Sequence, residues 1–474
     1  MQADIIAIIA HKEFKQVWLD GRFRWIFGLL LLLFGLAGWA GFSQQQDYRS
    51  QFEHAMHEQR ELWVNKGEMN PHSAAHHGMH VFKPASLVAA LDQGLQSYLG
   101  VSLFLEAHKQ NQSRYRQAED GTVLQRFAVM NAATVAEVMV PLMIILLSFG
   151  AFASERESGT LRQLLSLGLP PSQLWLGKML GLSASLAVLL LPLGLIGLGA
   201  LWLAGGAEAF ASGAPRLLSW LGLHALYWLL FLWGGLLISA RCRTARLALL
   251  LLLAFWFSNS FVGPRLGMMA ASFLHKAPTS VELQAAIEAD AAQVMDWDAR
   301  TQKVEARLLK QYGVQKVQDL PVNPAGLILA DAEIDDARVY QIHLDRLQKD
   351  WQNQWRVFAK LGLLLPGMAV QNLSMGLAGS DWQHHRHFAA AAEAYRLDFV
   401  QRMNTDVSRK TQAVDAYEYT AGKELWEAVK PFHYDLPALA WVWQQQLSGL
   451  LILAGWTLLL VLLTPLTLKH MPVD

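Results

Sequence analysis

Only one cysteine, Cys242, occurs among 474 residues. That excludes an intrachain disulfide framework and leaves no second thiol for a thiolate zinc site. Charge is scarce as well: Asp, Glu, Lys and Arg make up 16% of the chain, and 39 basic residues balance 39 acidic ones. No basic field is present to neutralise a phosphate backbone, so nucleic acid is not an expected partner. Period-two alternation of apolar and polar residues is rare, and no internal repeat or low-complexity linker is visible. The phosphate-cradling loop Gly-x-x-x-x-Gly-Lys-Ser/Thr is also missing. Gly177-Lys178 is followed by Met179 and lacks the upstream glycine, so the chain is not its own nucleotide-driven motor.

What is abundant is apolar mass, with 53% hydrophobic residues, 18 Trp and 21 Phe. It is clustered. Segments 25–42, 133–153, 180–203, 217–240, 245–263 and 443–466 each reach the roughly 20 residues that a helix needs to cross hydrocarbon. Basic residues mark alternate ends: Lys12, Lys15, Arg22 and Arg24 before the first segment, Arg156, Arg162 and Lys178 after the second, Arg241, Arg243 and Arg246 after the fourth, Lys469 after the last. By the positive-inside rule both termini are cytosolic. Residues 1–24 interleave Ile5, Ile6, Ile8, Ile9, Phe14 and Trp18 with Lys12, Lys15 and Arg22, the pattern of an interfacial amphipathic helix rather than of a signal peptide.

This topology leaves two large segments outside, 43–132 and 264–442, and a cytosolic loop at 154–179. Spans 3 to 5 occupy 180–263, joined between 204 and 216, and span 6 with a cytosolic tail occupies 443–474. The first outside segment is expected to prolong span 1 as a helix and then turn irregular after Asn70-Pro71, with Pro84, Gly94, Gly100 and Gly121 as breakers. The second reads as long helices at 281–312, 334–361 and 388–429, separated by Pro321, Pro324, Pro366 and Gly379. The apolar stretch 361–378 is expected as buried core or a surface-embedded elbow. The expected fold is therefore an all-α membrane protein: six transmembrane helices with a large helical extracytoplasmic domain built from two insertions.

The most informative local pattern lies in the cytosolic loop: Glu155-x-Glu157-x-Gly159-Thr160-Leu161-x-x-Leu164-Leu165, with Gly177-Lys178 about a dozen residues on. Gly159 permits a tight turn, Leu161, Leu164 and Leu165 form an i, i+3, i+4 stripe, and two carboxylates stay wet beside it. This pattern resembles the coupling loop of ABC-2 type ABC transporter permeases. The resemblance implies a non-catalytic permease subunit of the bacterial inner membrane, surrounded by lipid and acting as an exporter. Two separate ATPase subunits would hold ATP and Mg, and a second permease copy or a paralogous permease would complete the pathway. Glu155, Glu157, Gly159, Thr160, Leu161, Leu164, Leu165, Gly177 and Lys178 would carry the coupling. Further stretches resemble one bacterial branch of that family whose extracytoplasmic domain has no defined role. They are Asn70-Pro71-His72-Ser73-Ala74-Ala75-His76, Glu106-Ala107-His108-Lys109-Gln110-Asn111 and Leu373-Ser374-x-x-Leu377-Ala378-Gly379.

Histidine is concentrated in the two outside segments. His72, His76 and His80 stand at i, i+4 spacing, so a continuous helix would line up three imidazoles for Zn or Cu. His77, His384, His385 and His387 complete the candidate metal set; a hydrogen-bonded loop competes with that reading. Hydrolase motifs are incomplete: His57-Glu58-Gln59-Arg60-Glu61 lacks the second histidine of a zinc protease, and Gly181-Leu182-Ser183-Ala184 lacks the final glycine of an intramembrane serine protease. Glu137, an acid at membrane depth, is a candidate pathway residue. A rival to export is mechanotransmission, in which ATP-driven motion acts on an extracytoplasmic accessory protein or a metal and nothing crosses the bilayer.

Overall fold

A computed structural model of the chain describes residues 2–113, 115, 130–410, 416 and 418–473. Gly121, expected as a breaker, and part of the 388–429 helix lie outside the described residues.

The chain begins with helix α1 (Gln2–Leu19), stopped at Asp20, whose carboxylate accepts from the Arg22 amide and caps α2 (Gly21–Val64). As expected, α2 prolongs the first apolar segment well past its end. Five described helices are long and apolar enough to cross a membrane: Gly21–Val64, Ala132–Glu157, Pro171–Arg241, Ala245–Leu274 and Leu447–Lys469. The longest is doubled. At Gly205 and Gly206 it leaves helical geometry, Gly206 at φ 63°, and its two arms return antiparallel, so that Gly194 faces Leu221, Gly197 faces Leu217 and Gly213 faces Leu201. The connection expected at 204–216 is thus a two-residue break inside continuous helix, because glycine alone accepts that φ cheaply and small residues let the arms approach. The helix from Ala245 also runs eleven residues past the expected span end at Gly263, through a π turn at Ser258–Val262.

One end of this bundle collects α1, the turn after Glu157, residues 239–245 and the C-terminal residues: Lys12 reaches Glu155, and Arg156 and Arg241 reach the carbonyls of Pro472 and His470. The opposite end carries the two insertions. They meet there at Pro366–Ala378, which lies buried against the doubled helix and the last helix, with Trp220 Nε1 donating to Ser374 Oγ at 2.9 Å and Gly449 against Leu373. The stretch expected as buried core or elbow is core.

Beyond that seam the first insertion forms α3 (Pro71–His77), initiated by Asn70, whose side chain accepts from the His72 and Ser73 amides. A three-stranded antiparallel sheet follows, β1 (Met79–Phe82), β2 (Ser102–Glu106) and β3 (Lys109–Gln110), pairing Val81 with Leu103 and Glu106 with Lys109. The first insertion is therefore not wholly helical: its strands are two to five residues long, too short for alternation to register. The second insertion splits the expected 281–312 helix into Ser280–Ala291 and Trp297–Tyr312, because Asp296 caps a new start. It continues with Pro324–Leu361 and Trp382–Lys410, and a separate Lys423–Ala428 replaces the end of the long helix expected to Val429. Trp63, Phe388, Phe399 and Trp426 form the core shared by both insertions, and the Trp63 indole donates to the Trp426 carbonyl at 3.0 Å.

Candidate functional site

Between Glu157 and Pro171 the chain turns at Gly159, in the left-handed region at φ 76°, and forms the short helix Thr160–Ser166 at the free end of the bundle. Its inner face is set by Leu161, fully buried, with Leu164 and Leu165 partly buried against the main core. Its outer face presents Thr160, Gln163 and Ser166, followed by Leu167 at 84% exposure. The expected leucine stripe therefore anchors the helix to its own bundle, and the polar flank with Leu167 is what stays exposed. The reason is competition: a leucine stripe beside an apolar core is buried at once.

One of the two loop carboxylates, Glu155, is likewise committed inward. Lys178, 1% exposed, donates to Glu13 Oε1 and Glu155 Oε1 at 2.8 Å each, and Lys12 caps the pair from the surface at 3.0 and 3.3 Å. Burial raises the Glu13 carboxyl, but Lys178 and Lys12 outweigh it and hold the group below the usual carboxylate range. Glu157 stays exposed, and its Oε1 accepts from the Ala245 amide at 3.3 Å. Gly177 and Gly181 let α1 lie directly on the doubled helix, since a Cβ there would stand 2.6 Å from Ile9 Cβ and 2.4 Å from the Ala10 carbonyl oxygen. Between the two glutamates Arg156 is buried and ties the loop to two other places. It donates to the carbonyls of Ser239, Ala240 and Cys242, at the C-terminal end of the doubled helix, and to Pro472. The loop is thereby bonded to α1, the doubled helix and the chain end together.

Glu137 sits at the far end of the same bundle, mostly buried, with Oε1 3.6 Å from His224 Nε2. It does not line the apolar cleft of about 130 Å³ between Phe34, Gly38, Leu91, Leu193 and Trp220. Nearby, the seam under the insertions is polar. Asp92 accepts from Ser374 at 2.5 Å and is pushed up to about 7, first by burial and then by the Glu137 charge. Asp381 accepts from His384 Nδ1 at 2.6 Å and from Gln446 Nε2 at 3.0 Å, while buried Lys83 donates to the Gly379 carbonyl at 3.3 Å. Burial lowers Lys83 to about 8.

The histidines do not group as their spacing suggested. Gly78, at φ 55°, ends α3, so His80 lies on β1 with Nδ1 3.1 Å from Ser102 Oγ, not on the face of His72 and His76. His384 is taken by Asp381 and His387 by the Tyr434 hydroxyl; His385 is buried elsewhere on the same helix, and His77 is exposed. Among the described residues the convergent group is His72, His76 and His108, whose ring nitrogens lie within 4.8 Å of one another. Burial lowers His72 to about 4, so that imidazole is neutral.

Sequence reasoning missed Glu13, Arg156 as a clamp, and His108. The first two sit among other charged residues, Glu13 beside Lys12 and Arg156 between Glu155 and Glu157, so nothing local singles them out, and His108 stands 36 residues from His72.

Residues 89–281 match the family described as ABC-2 family transporter protein, and residues 280–435 match a domain of unknown function, DUF3526. The second match covers most of the second insertion and the first ends where that domain begins. No curated protein matches the chain.

Proposed function

The chain is a permease of the ABC-2 transporter family that carries an additional domain of unknown function, and from that premise we propose that it is driven by separate ABC ATPase subunits docking on the Thr160–Ser166 helix. One observation carries this reading: a short helix anchored inward by Leu161 shows an exposed outer face, at the bundle end that gathers α1, the C-terminal residues and the basic residues flanking the apolar segments, Lys12, Arg156, Lys178 and Arg241 among them. That end is the cytosolic one in our proposal, which gives six crossings once the doubled helix is counted twice, and the two insertions then face the periplasm across the bacterial inner membrane. Two ATPases and a second permease, identical or paralogous, complete the complex. Nucleotide-driven closure moves the short helix; Leu161 and the Lys178 cluster pass the displacement to α1 and the doubled helix, and cargo leaves outward.

The test is a surface substitution that spares the core. Gln163→Glu with Leu167→Asp should weaken co-purification of the ATPase at least tenfold while the protein stays inserted and elutes normally. Undiminished ATPase association and transport in that variant would remove the docking assignment.

A specific observation also favours mechanotransmission. Arg216, near the turn of the doubled helix, donates to the carbonyls of Leu377 and Pro437, and Trp220 donates to Ser374, so the bundle and the insertions are bonded into one body at their seam. Motion of the doubled helix would carry the insertions with it. Vectorial cargo flux in reconstituted vesicles supports export; ATP-dependent release of an extracytoplasmic partner without flux supports the alternative.

A further inference from the structure

The geometry points to a mononuclear Zn2+ site formed by the Nε2 atoms of His72, His76 and His108, at the junction of the two insertions. His72 and His76 stand one turn apart on α3, and His108 comes from the tight turn between β2 and β3. The Nε2 atoms of His76 and His108 lie 3.2 and 3.4 Å from that of His72. Nitrogens bound tetrahedrally to zinc at 2.0–2.1 Å stand about 3.3 Å apart, so two of the three edges already have the spacing of a coordinated set. His76 is exposed, and the third edge lies within the 4.8 Å that contains all three ligand nitrogens.

The rings are oriented from behind, as metal-ligating histidines are. His108 Nδ1 lies 2.7 Å from Asp336 Oδ2; the carboxylate only accepts, so the proton sits on Nδ1 and the lone pair on Nε2. His72 Nδ1 lies 2.8 Å from Asn404 Oδ1, and with that oxygen accepting the proton sits on the same ring nitrogen. With those tautomers two imidazole lone pairs face each other across 3.4 Å, an arrangement that a shared cation would satisfy. The backbone is shaped to reach it. His108 has φ 65°, a conformation costly to a residue with a Cβ, and is held there by its amide donating to Glu333 Oε2 at 2.8 Å. Glu333 is in turn fixed by buried Arg396, which also bonds Glu393 and the Glu106 carbonyl.

The donor set names the ion class. Three imidazole nitrogens suit zinc and do not suit the oxygen-loving Ca2+ and Mg2+. Met79, three residues from His76, is turned to the Tyr395 hydroxyl and away from the cluster. Three protein ligands with the site open to solvent leave a fourth position for water or for an incoming ligand. Because α3 and the β2–β3 turn belong to the first insertion while Asp336 and Asn404 belong to the second, a bound ion braces one against the other.

Purified full-length protein is titrated with Zn2+ against a chromophoric chelator, and Co2+ is used as the spectroscopic stand-in. The expected result is one ion per chain with an intense tetrahedral Co2+ spectrum, and affinity weakened at least 100-fold in His76→Ala and His108→Asn. Asp336→Asn weakens it 10- to 100-fold, as loss of an orienting carboxylate does. His77→Ala, next to His76 but outside the cluster, leaves it unchanged. Since His76 is exposed, its variant folds, and retained stoichiometry or a weak octahedral Co2+ spectrum in the wild type overturns the site. The titration needs no ATPase, so it reads the metal site whatever the fate of the docking proposal.

Discussion

Replacing Lys178 by Met removes the cation from the cluster that joins α1, the Glu155 turn and the doubled helix. Both carboxylate oxygens lie 2.8 Å from its Nζ, hence at most twice that distance from each other, and both side chains are at least four-fifths buried. Left facing one another at an effective dielectric near 20, two such charges repel by roughly 3 kcal/mol. The alternative is that Glu13 takes a proton. At pH 7.5 that costs about 4 kcal/mol from an ordinary glutamate pKa, so repulsion is the cheaper outcome; at pH 5.5 it costs about 1.5 kcal/mol and protonation wins. Lys12, half exposed, remains beside both acids and trims these figures. The wild type has the opposite dependence. Its Glu13 is held below the usual range, so that stabilisation is present above the ordinary pKa and fades as pH falls through the folded value. In Lys178→Met the folded Glu13 pKa is raised instead, and stability is lost as pH rises. The deficit should therefore be about 3 kcal/mol at pH 7.5 and about half that at pH 5.5, read from denaturant titrations of the detergent-solubilised protein by tryptophan fluorescence. Adding Glu13→Gln and Glu155→Gln should restore most of it. A Lys178→Met protein as stable as wild type at pH 7.5, or a triple variant no better than the single, would refute the electrostatic account.

Arg156→Lys should fail to replace arginine, because one ammonium cannot span carbonyls on the doubled helix and at Pro472. A loss of about 3 kcal/mol is expected, with the residues after Leu468 becoming protease-sensitive; a neutral substitution would show the clamp to be dispensable. Gly181→Val drives a side chain into the Ala10 carbonyl, 2.4 Å from the would-be Cβ, and should lift α1 off the bundle at a cost of about 1–3 kcal/mol or more. A disulfide engineered between α1 and the doubled helix would then form slowly; unchanged crosslinking would contradict the contact.

Much of the architecture was legible because it rests on contiguous chain. The membrane-crossing helices follow from apolar length, α2 continues past its first apolar stretch as its composition indicates, and Pro366–Ala378 was recognisable as an apolar stretch with polar exceptions. The strands of the first insertion were not legible, since segments of two to five residues carry no period, and neither was the helix break at Asp296, where a local cap beats an otherwise continuous helical pattern. In the loop, the leucine spacing pointed to a short helix, but which face it buries depends on the core it meets.

The division follows from range. Hydropathy, charge asymmetry and the glycine turn at 159 act within a few residues, so the sequence alone determined a multi-pass membrane chain with a charged loop built around a short helix and no nucleotide loop of its own. Lys178 meets Glu13 across 165 residues and His72 meets His108 across 36, and Asn404 lies 332 residues from the ring it orients. Such pairings exist only once helices have packed, because burial selects the partner and no local pattern encodes it; that is why tertiary structure decided which carboxylates stay wet and which histidines converge.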